Sequence, residues 1–372
     1  MSSIIATETG TDRYRQRFAT SLAAEHFRSS QGLWLSSIGL GTYLGQPDAA
    51  TDAAYQSAVK RALALGCNVI DTAANYRFQR SERSIGVALQ QALREAKLSR
   101  DEFVVTTKGG FVPFDGAMPR GQVEFQKYLN DTFIAPGVCA PADFVNGQHC
   151  MTPRYLAHQL DQSLRNLGID AVDVYYLHNP ESQFAAVEPD EFYERLRAAF
   201  EFLESAVATG KIAHYGTATW NGYRVPANSG EHLSLERVVQ TARDIAGDAH
   251  HCRVIQLPIN LAMTEAFTHA NQSLNGNSVT LLEAADALGV TVMTSGSLMQ
   301  AQLTAGLPPV VAEAFPGLQS DAQRALQFVR STPGVTTALV GMSNVAHVEE
   351  NLALARTAPA TKAQYLSLFS KA

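Results

Sequence analysis

Charge is scarce in this chain. Charged residues make up 17% of its 372 residues, below the quarter or so usual for soluble proteins, and no stretch gathers charge of one sign. A balance of 29 basic against 35 acidic residues leaves a formal charge of −6, which argues against nucleic acid or an anionic membrane as a partner and in favour of a small molecule. No apolar run approaches the eighteen or so residues that a membrane-spanning helix needs. Cysteine is also sparse: Cys67, Cys139, Cys150 and Cys252 show neither metal-ligand pairing nor the density of a secreted disulfide framework, so a reducing cytoplasm and no metal site are expected. His250, His251 and Cys252 stand together but lack a second ligand pair, and read as a loop before a strand. The opening MSSIIATETG lacks the basic start and long apolar core of a signal peptide. Residues 1–33 read as an N-terminal extension with one amphipathic helix, and 34–372 as a single domain.

What the chain does have is apolar bulk, 46% of its residues, and a rhythm. From Trp34 onward, short runs rich in valine and isoleucine alternate with segments of helical period, the pattern of repeated strand–helix units around a parallel sheet. Eight strands are predicted, ending at Leu40, Asp71, Lys108, His178, Thr217, Ile259, Ser295 and Gly341. Helices are expected between them, with Thr51 or Asp52 as the cap of the first, Ser81 and Glu82 opening the second, and Thr152 preceding Pro153 at the start of the third. Eight such alternations predict a closed α/β (β/α)8 TIM barrel.

An active site on such a barrel lies at the carboxyl ends of the strands. Asp71, Lys108 and His178 end the second, third and fourth strands, and Tyr76 follows the second in NVIDTAANY. Each alone has an ordinary structural use, as a cap, a snorkelling strand end, a core histidine or a loop aromatic. Together they supply a phenol, an ammonium to lower its pKa, a carboxylate to hold that ammonium, and an imidazole to orient a carbonyl oxygen. No activated nucleophile accompanies them, and hydride from a nicotinamide would complete the set.

One segment breaks the rhythm. Between Lys108 and Thr152 runs a stretch of ~40 residues with little helical period, where connections beyond ~15 are uncommon unless functional or disordered. Residues 109–151 are expected to form an inserted loop over the active-site face, with Phe111, Phe114 and Tyr128 lining the substrate pocket.

The ordered motifs IGLGTYLG, NVIDTAANY, SERSIGVAL, VVTTKGG, DVYYLHNP, IQLPIN and GMSNVAHVEENL resemble those of the aldo-keto reductase superfamily, over about Ser36 to Ala355. The resemblance implies an oxidoreductase that passes hydride between NADP, or NAD, and a carbonyl or alcohol substrate such as an aldehyde, ketone or sugar-like polyol. It implies Tyr76 as general acid or base, Asp71 and Lys108 as its tuning pair, and His178 as the carbonyl-orienting residue. Around the nicotinamide it places Gly41, Thr42, Tyr43, Asp71, Asn179, Gln256 and Ser295. Around the adenosine half it places Gly341, Met342, Ser343, His347, Glu350 and Asn351. Three departures from the family's pattern stand out. Ala218 and Thr219 replace a serine and asparagine that hold the carboxamide, with Asn221 as a possible substitute; Met293 or Thr294 stands where an aromatic stacks; and Met342 and His347 replace a basic pair on the 2′-phosphate. A nicotinamide-binding regulatory subunit is the alternative function.

Overall fold

The computed structural model describes residues 4–95 and 98–369, so the outermost residues of the expected 1–33 and 34–372 divisions lie outside the described residues. Its centre is a closed barrel of eight parallel strands: β1 (Ile38–Gly41), β2 (Val69–Asp71), β3 (Val104–Gly109), β4 (Val172–His178), β5 (Ile212–Ala218), β6 (Cys252–Pro258), β7 (Thr291–Ser295) and β8 (Val335–Gly341). Each strand hydrogen-bonds its sequence neighbours, and β8 closes on β1 with Val340 opposite Leu40. All eight expected strands are present, with ends within a residue of those read from the sequence. They were legible because parallel strands are covered on both faces and so read as continuous apolar runs.

Eight principal helices surround the barrel: α1 (Ala49–Ala64), α2 (Arg80–Arg94), α3 (Pro153–Leu167), α4 (Pro189–Ala208), α5 (Leu235–Ala246), α6 (Leu281–Ala287), α7 (Asp321–Ser331) and α8 (Val345–Ala353). Two expected starts need correction. Asp48, not Thr51 or Asp52, caps α1, accepting from the Thr51 N–H. Helix α2 begins at Arg80 behind Gln79, which is left-handed (φ 68°) and offers no side-chain cap. Ser81 and Glu82 turn inward instead: Ser81 Oγ donates to the Thr42 carbonyl, and the buried Glu82 accepts from Thr107 Oγ1.

Two cores result. Strand residues pointing outward pack against the helices, while Val69, Val104, Val174, Tyr176, Val254, Met293 and Leu339 fill the barrel interior. Ala6 and Leu35 join the interior cluster from the N-terminal segment. That segment holds the expected helix, Glu8–Gln16, and also an antiparallel hairpin, Phe27–Ser30 with Leu33–Ser36, which the sequence reading missed. Gln31 and Gly32 form its two-residue turn with φ of 49° and 71°, the left-handed pair that a tight hairpin requires.

The insertion also departs from expectation. It contains a helix, Gly121–Leu129, then a π-helical turn, Asn130–Ile134, packed around Phe133 as a small core of its own. Phe114 and Tyr128 belong to that core, their rings 5.2 Å apart, with the Tyr128 hydroxyl on the Pro113 carbonyl. Only Phe111 reaches the barrel mouth.

Candidate active site

The ends of β2 and β3 lie side by side, with Asp71 paired in register to Thr106. This places Lys108 Nζ 2.6 Å from Asp71 Oδ2, and the same ammonium donates to the Thr72 carbonyl at 2.8 Å. The other carboxylate oxygen accepts from Thr106 Oγ1 at 2.6 Å and from Gln256 Nε2, on β6, at 2.8 Å. Both partners of the ion pair are buried. Burial pulls the lysine pKa down from its ordinary value, and the adjacent Asp71 charge works against that fall.

Tyr76 lies in the turn after β2 with Lys108 Nζ 5.0 Å from its ring centroid, against the face of the ring. The expected lowering of the phenol pKa is not what this arrangement produces. Burial first, then the Asp71 carboxylate, hold the phenol well above its usual range. At neutral pH the hydroxyl therefore keeps its proton, as a donor to a carbonyl oxygen must. The His178 ring stands 5.7 Å from that of Tyr76 at a steep angle. Burial, with Lys108 nearby, pushes His178 well below the ordinary histidine range, so it is a neutral imidazole, and its Nδ1 is buried without a protein partner.

Two cavities meet at Tyr76. The first, of about 420 Å³, runs from Asp71, Tyr76 and Gln256 past Gly41, Thr42 and Ser295 to Gly341 and Ser343, and ends on α8 at His347, Glu350 and Asn351. The second, of about 510 Å³, holds Phe111, His178, Asn179, Thr219, Trp220 and Met263. Tyr43, Tyr76, Gln256, Ser295, Gly296 and Gln300 border both. Most of the expected residues thus converge, but five are placed otherwise. Met342 is fully buried in the core between barrel and helices. Met293 fills the barrel interior and Thr294 is buried beside it, so neither can stack on a ring in the cleft. Asn179 lies on the second cavity alone, and Asn221 is held by Glu231 outside both.

The sequence reading missed two supports. His149, at the closing end of the insertion, donates from Nε2 to the His178 carbonyl (2.8 Å) and accepts at Nδ1 from Gln183 Nε2 (2.8 Å), while Arg195 fixes Gln183 Oε1. Burial pushes His149 down to about 4, so it remains the neutral tautomer that this chain of bonds needs. Gly110 makes the contact possible: with φ of 139°, its missing Cβ would lie 2.8 Å from His149 Nε2. The second support is Glu181, buried two residues past Asn179, whose Oε1 accepts the backbone N–H groups of Trp220, Asn221 and Gly222 and so sets the wall of the second cavity. Neither signal was legible, since both partners come from distant loops.

Fold and site together define a (β/α)8 barrel with a two-chambered cleft at the carboxyl rim, floored by a buried lysine–carboxylate pair and bordered by a tyrosine. A profile of the Aldo/keto reductase family matches residues 37–226, and the chain belongs to that family. It is 30% identical over 190 residues to the NADH-specific methylglyoxal reductase of Escherichia coli, covering 50% of this chain and 48% of that protein. It is 26% identical over 200 residues to a putative voltage-gated potassium channel subunit beta of Schizosaccharomyces pombe, covering 54% and 46%. The matched stretch thus spans about half the length of these curated relatives. A crystal structure of an aldo/keto reductase from Klebsiella pneumoniae with NADP and acetate superposes with a TM-score of 0.62 over 94% of this chain and 95% of that one, at 22% identity. At that identity the likeness speaks for the fold.

Proposed function

We propose that the protein is an oxidoreductase that interconverts a carbonyl and an alcohol with a nicotinamide dinucleotide as redox partner. The observation that carries this is the meeting of two cavities at Tyr76, one elongated and one compact, so that a cofactor and a substrate bound side by side would both reach the phenol. The elongated cavity has an orphan suited to a nucleotide: Asn351 Oδ1 is buried without a partner and would accept from an exocyclic amine. Tyr43, Gln256 and Ser295 would hold the nicotinamide end, Gly341 and Ser343 the middle, and Glu350 and Asn351 the adenosine end.

When bound, the dinucleotide supplies or takes up the hydride. The chain's own residues handle the proton and the geometry. Tyr76 gives its hydroxyl proton to the carbonyl oxygen during reduction and recovers one from the alcohol during oxidation. Lys108 lies where it can stabilise the phenolate left after donation, and Asp71 fixes its position. His178, neutral and held through its carbonyl by His149, hydrogen-bonds the substrate oxygen and orients it. Phe111 and Trp220 give the second cavity apolar walls.

No helix among the described residues is long and apolar enough to cross a membrane. The four cysteines are free thiols and buried, in keeping with a cytoplasmic setting, and the substrate is a small aldehyde, ketone or sugar-like polyol. A regulatory role has one specific point in its favour, the likeness to a channel subunit beta. The intact acid and its buried ion pair favour turnover. Oxidation of NADH or NADPH against a panel of aldehydes decides between them: turnover that collapses in Tyr76→Phe supports catalysis, and cofactor binding with no turnover on any carbonyl supports the regulatory role.

A further inference from the structure

The turn that carries Tyr76 runs against the preference of its own residues. Arg77, Phe78 and Gln79 follow the tyrosine in the left-handed region, with φ of 47°, 56° and 68°, and none of them is glycine. Each such residue costs free energy, and three in succession persist only where the surroundings over-determine them. Support comes from two sides. On one, the insertion closes over the turn: the Gly116 N–H donates to the Phe78 carbonyl at 3.1 Å, Gln79 Nε2 donates to the Pro113 carbonyl at 3.0 Å, and Phe78 packs against the small core around Phe133. On the other, Arg77 reaches back to α1 and the loop before it. Its side chain is 2% exposed, and the guanidinium lies 5.3 Å from the centroid of the Tyr55 ring. Nε donates to the Gln46 carbonyl at 2.9 Å and Nη2 to Asp52 Oδ1 at 2.6 Å. Asp52, whose expected capping role falls to Asp48, is thus the counter-ion, and Arg80 and Ser84 hold the same carboxylate.

This strain sits one residue from the proton donor. Tyr76 is located by ring contacts with Tyr43 and His178 and by its own backbone, whose N–H donates to the Ala73 carbonyl at 3.1 Å. Relaxation of Arg77 out of the left-handed region would rotate the peptide that joins it to Tyr76 and carry the phenol away from the point where the cavities meet. Proton donation needs the hydroxyl within hydrogen-bond reach of the carbonyl oxygen, and a displacement of about 1 Å can cost 10²-fold in rate. A buried guanidinium with acceptors on both α1 and the loop before it resists that motion. Neither Arg77 nor Asp52 is among the residues that line either cavity, so the pair acts on the chemistry only through Tyr76.

Resting on the reading of Tyr76 as the proton donor, we propose that Arg77, with Asp52 as its counter-ion, is a positioning residue that holds Tyr76 at the meeting of the two cavities. Steady-state kinetics of full-length Arg77→Met, Arg77→Lys and Asp52→Asn, on the aldehyde that the natural chain reduces fastest, test this. Active sites are counted by dinucleotide titration, and unfolding midpoints are measured alongside. Arg77→Met should lower kcat about 10- to 10²-fold while dinucleotide affinity stays within about twofold. Its solvent deuterium isotope effect on kcat should rise, because proton transfer from a displaced phenol becomes limiting. Arg77→Lys keeps a charge beside Asp52 without the planar fork and should recover part of kcat. Asp52→Asn should fall between the natural chain and Arg77→Met. A purely structural role lowers the unfolding midpoint and the count of active sites but leaves kcat per site and the isotope effect unchanged; that result overturns the proposal and leaves the oxidoreductase reading standing. If Arg77→Met does not fold, the same readouts in Arg77→Lys and Asp52→Asn decide. No reduction of any carbonyl by the natural chain overturns both.

Discussion

The two ends of the elongated cavity are finished to different degrees. At the barrel end, both Asp71 oxygens have partners, from Lys108 on one side and Thr106 and Gln256 on the other. At the α8 end, Asn351 Oδ1 is buried with no partner, and Glu350 is secured by one oxygen only. The contrast separates two tasks. A group that must hold a catalytic side chain in one place is bonded in advance, so that little reorganisation remains during the reaction. A group that recognises a ligand keeps polar atoms open until the ligand satisfies them.

The sharpest break at the barrel end is Lys108→Met. It leaves Asp71 as an unpaired buried carboxylate, which costs about 3–5 kcal/mol of stability, and turnover should fall by orders of magnitude. Denaturant unfolding checks the first and steady-state kinetics the second; full turnover in the variant would refute the role given to the pair.

Acid comes next. Burial lowers His26 to about 3 and His149 and His214 to about 4, below the ordinary 6.5. Between those values the unfolded chain binds more protons than the folded one, so stability is complete above pH 6.5 and declines as pH falls through that window. His149 and His214 each contribute up to about 3 kcal/mol and His26 up to about 5. Urea midpoints at pH 7, 5.5 and 4.5 should fall in that order, and less steeply in His149→Gln.

His149→Phe probes the chain that holds His178. Turnover should drop about tenfold, the size of one lost hydrogen bond of about 1.4 kcal/mol, with cofactor affinity unchanged. Glutamine at the same position restores a donor and should recover part of the loss, whereas a merely space-filling role would let Phe match or exceed Gln. The smallest effect belongs to the outer face of α8: Arg61→Ala removes a half-exposed pair with Glu349 and should shift stability by under about 0.5 kcal/mol, leaving dinucleotide affinity untouched.

The barrel was legible because strand burial writes itself as apolar runs, and Asp71, Lys108 and His178 because the fold assigns strand ends to the active rim. Legibility failed where position depends on packing between distant segments. Met342 was read in GMSNVAHVEENL among the residues around the adenosine half, and what the sequence did not show is that its side chain turns from the end of β8 into the core. Phe114 and Tyr128 looked like pocket aromatics until the insertion closed on Phe133. The lowered phenol pKa failed because residue types alone do not report burial, which together with the Asp71 charge raises the Tyr76 phenol. The Trp220 wall, pinned by Glu181, was invisible for the same reason as His149.

The most direct test of the division between the two ends crosses two variants with two measurements. Tyr76→Phe and Asn351→Ala are each assayed for dinucleotide affinity by titration and for turnover at saturating cofactor. The expected pattern is crossed: Tyr76→Phe loses 10²-fold or more in turnover with affinity nearly unchanged, while Asn351→Ala loses affinity and keeps turnover at saturation. Uncrossed results, with Asn351→Ala abolishing turnover at saturation or Tyr76→Phe leaving it intact, would contradict the assignment of chemistry to one end and recognition to the other.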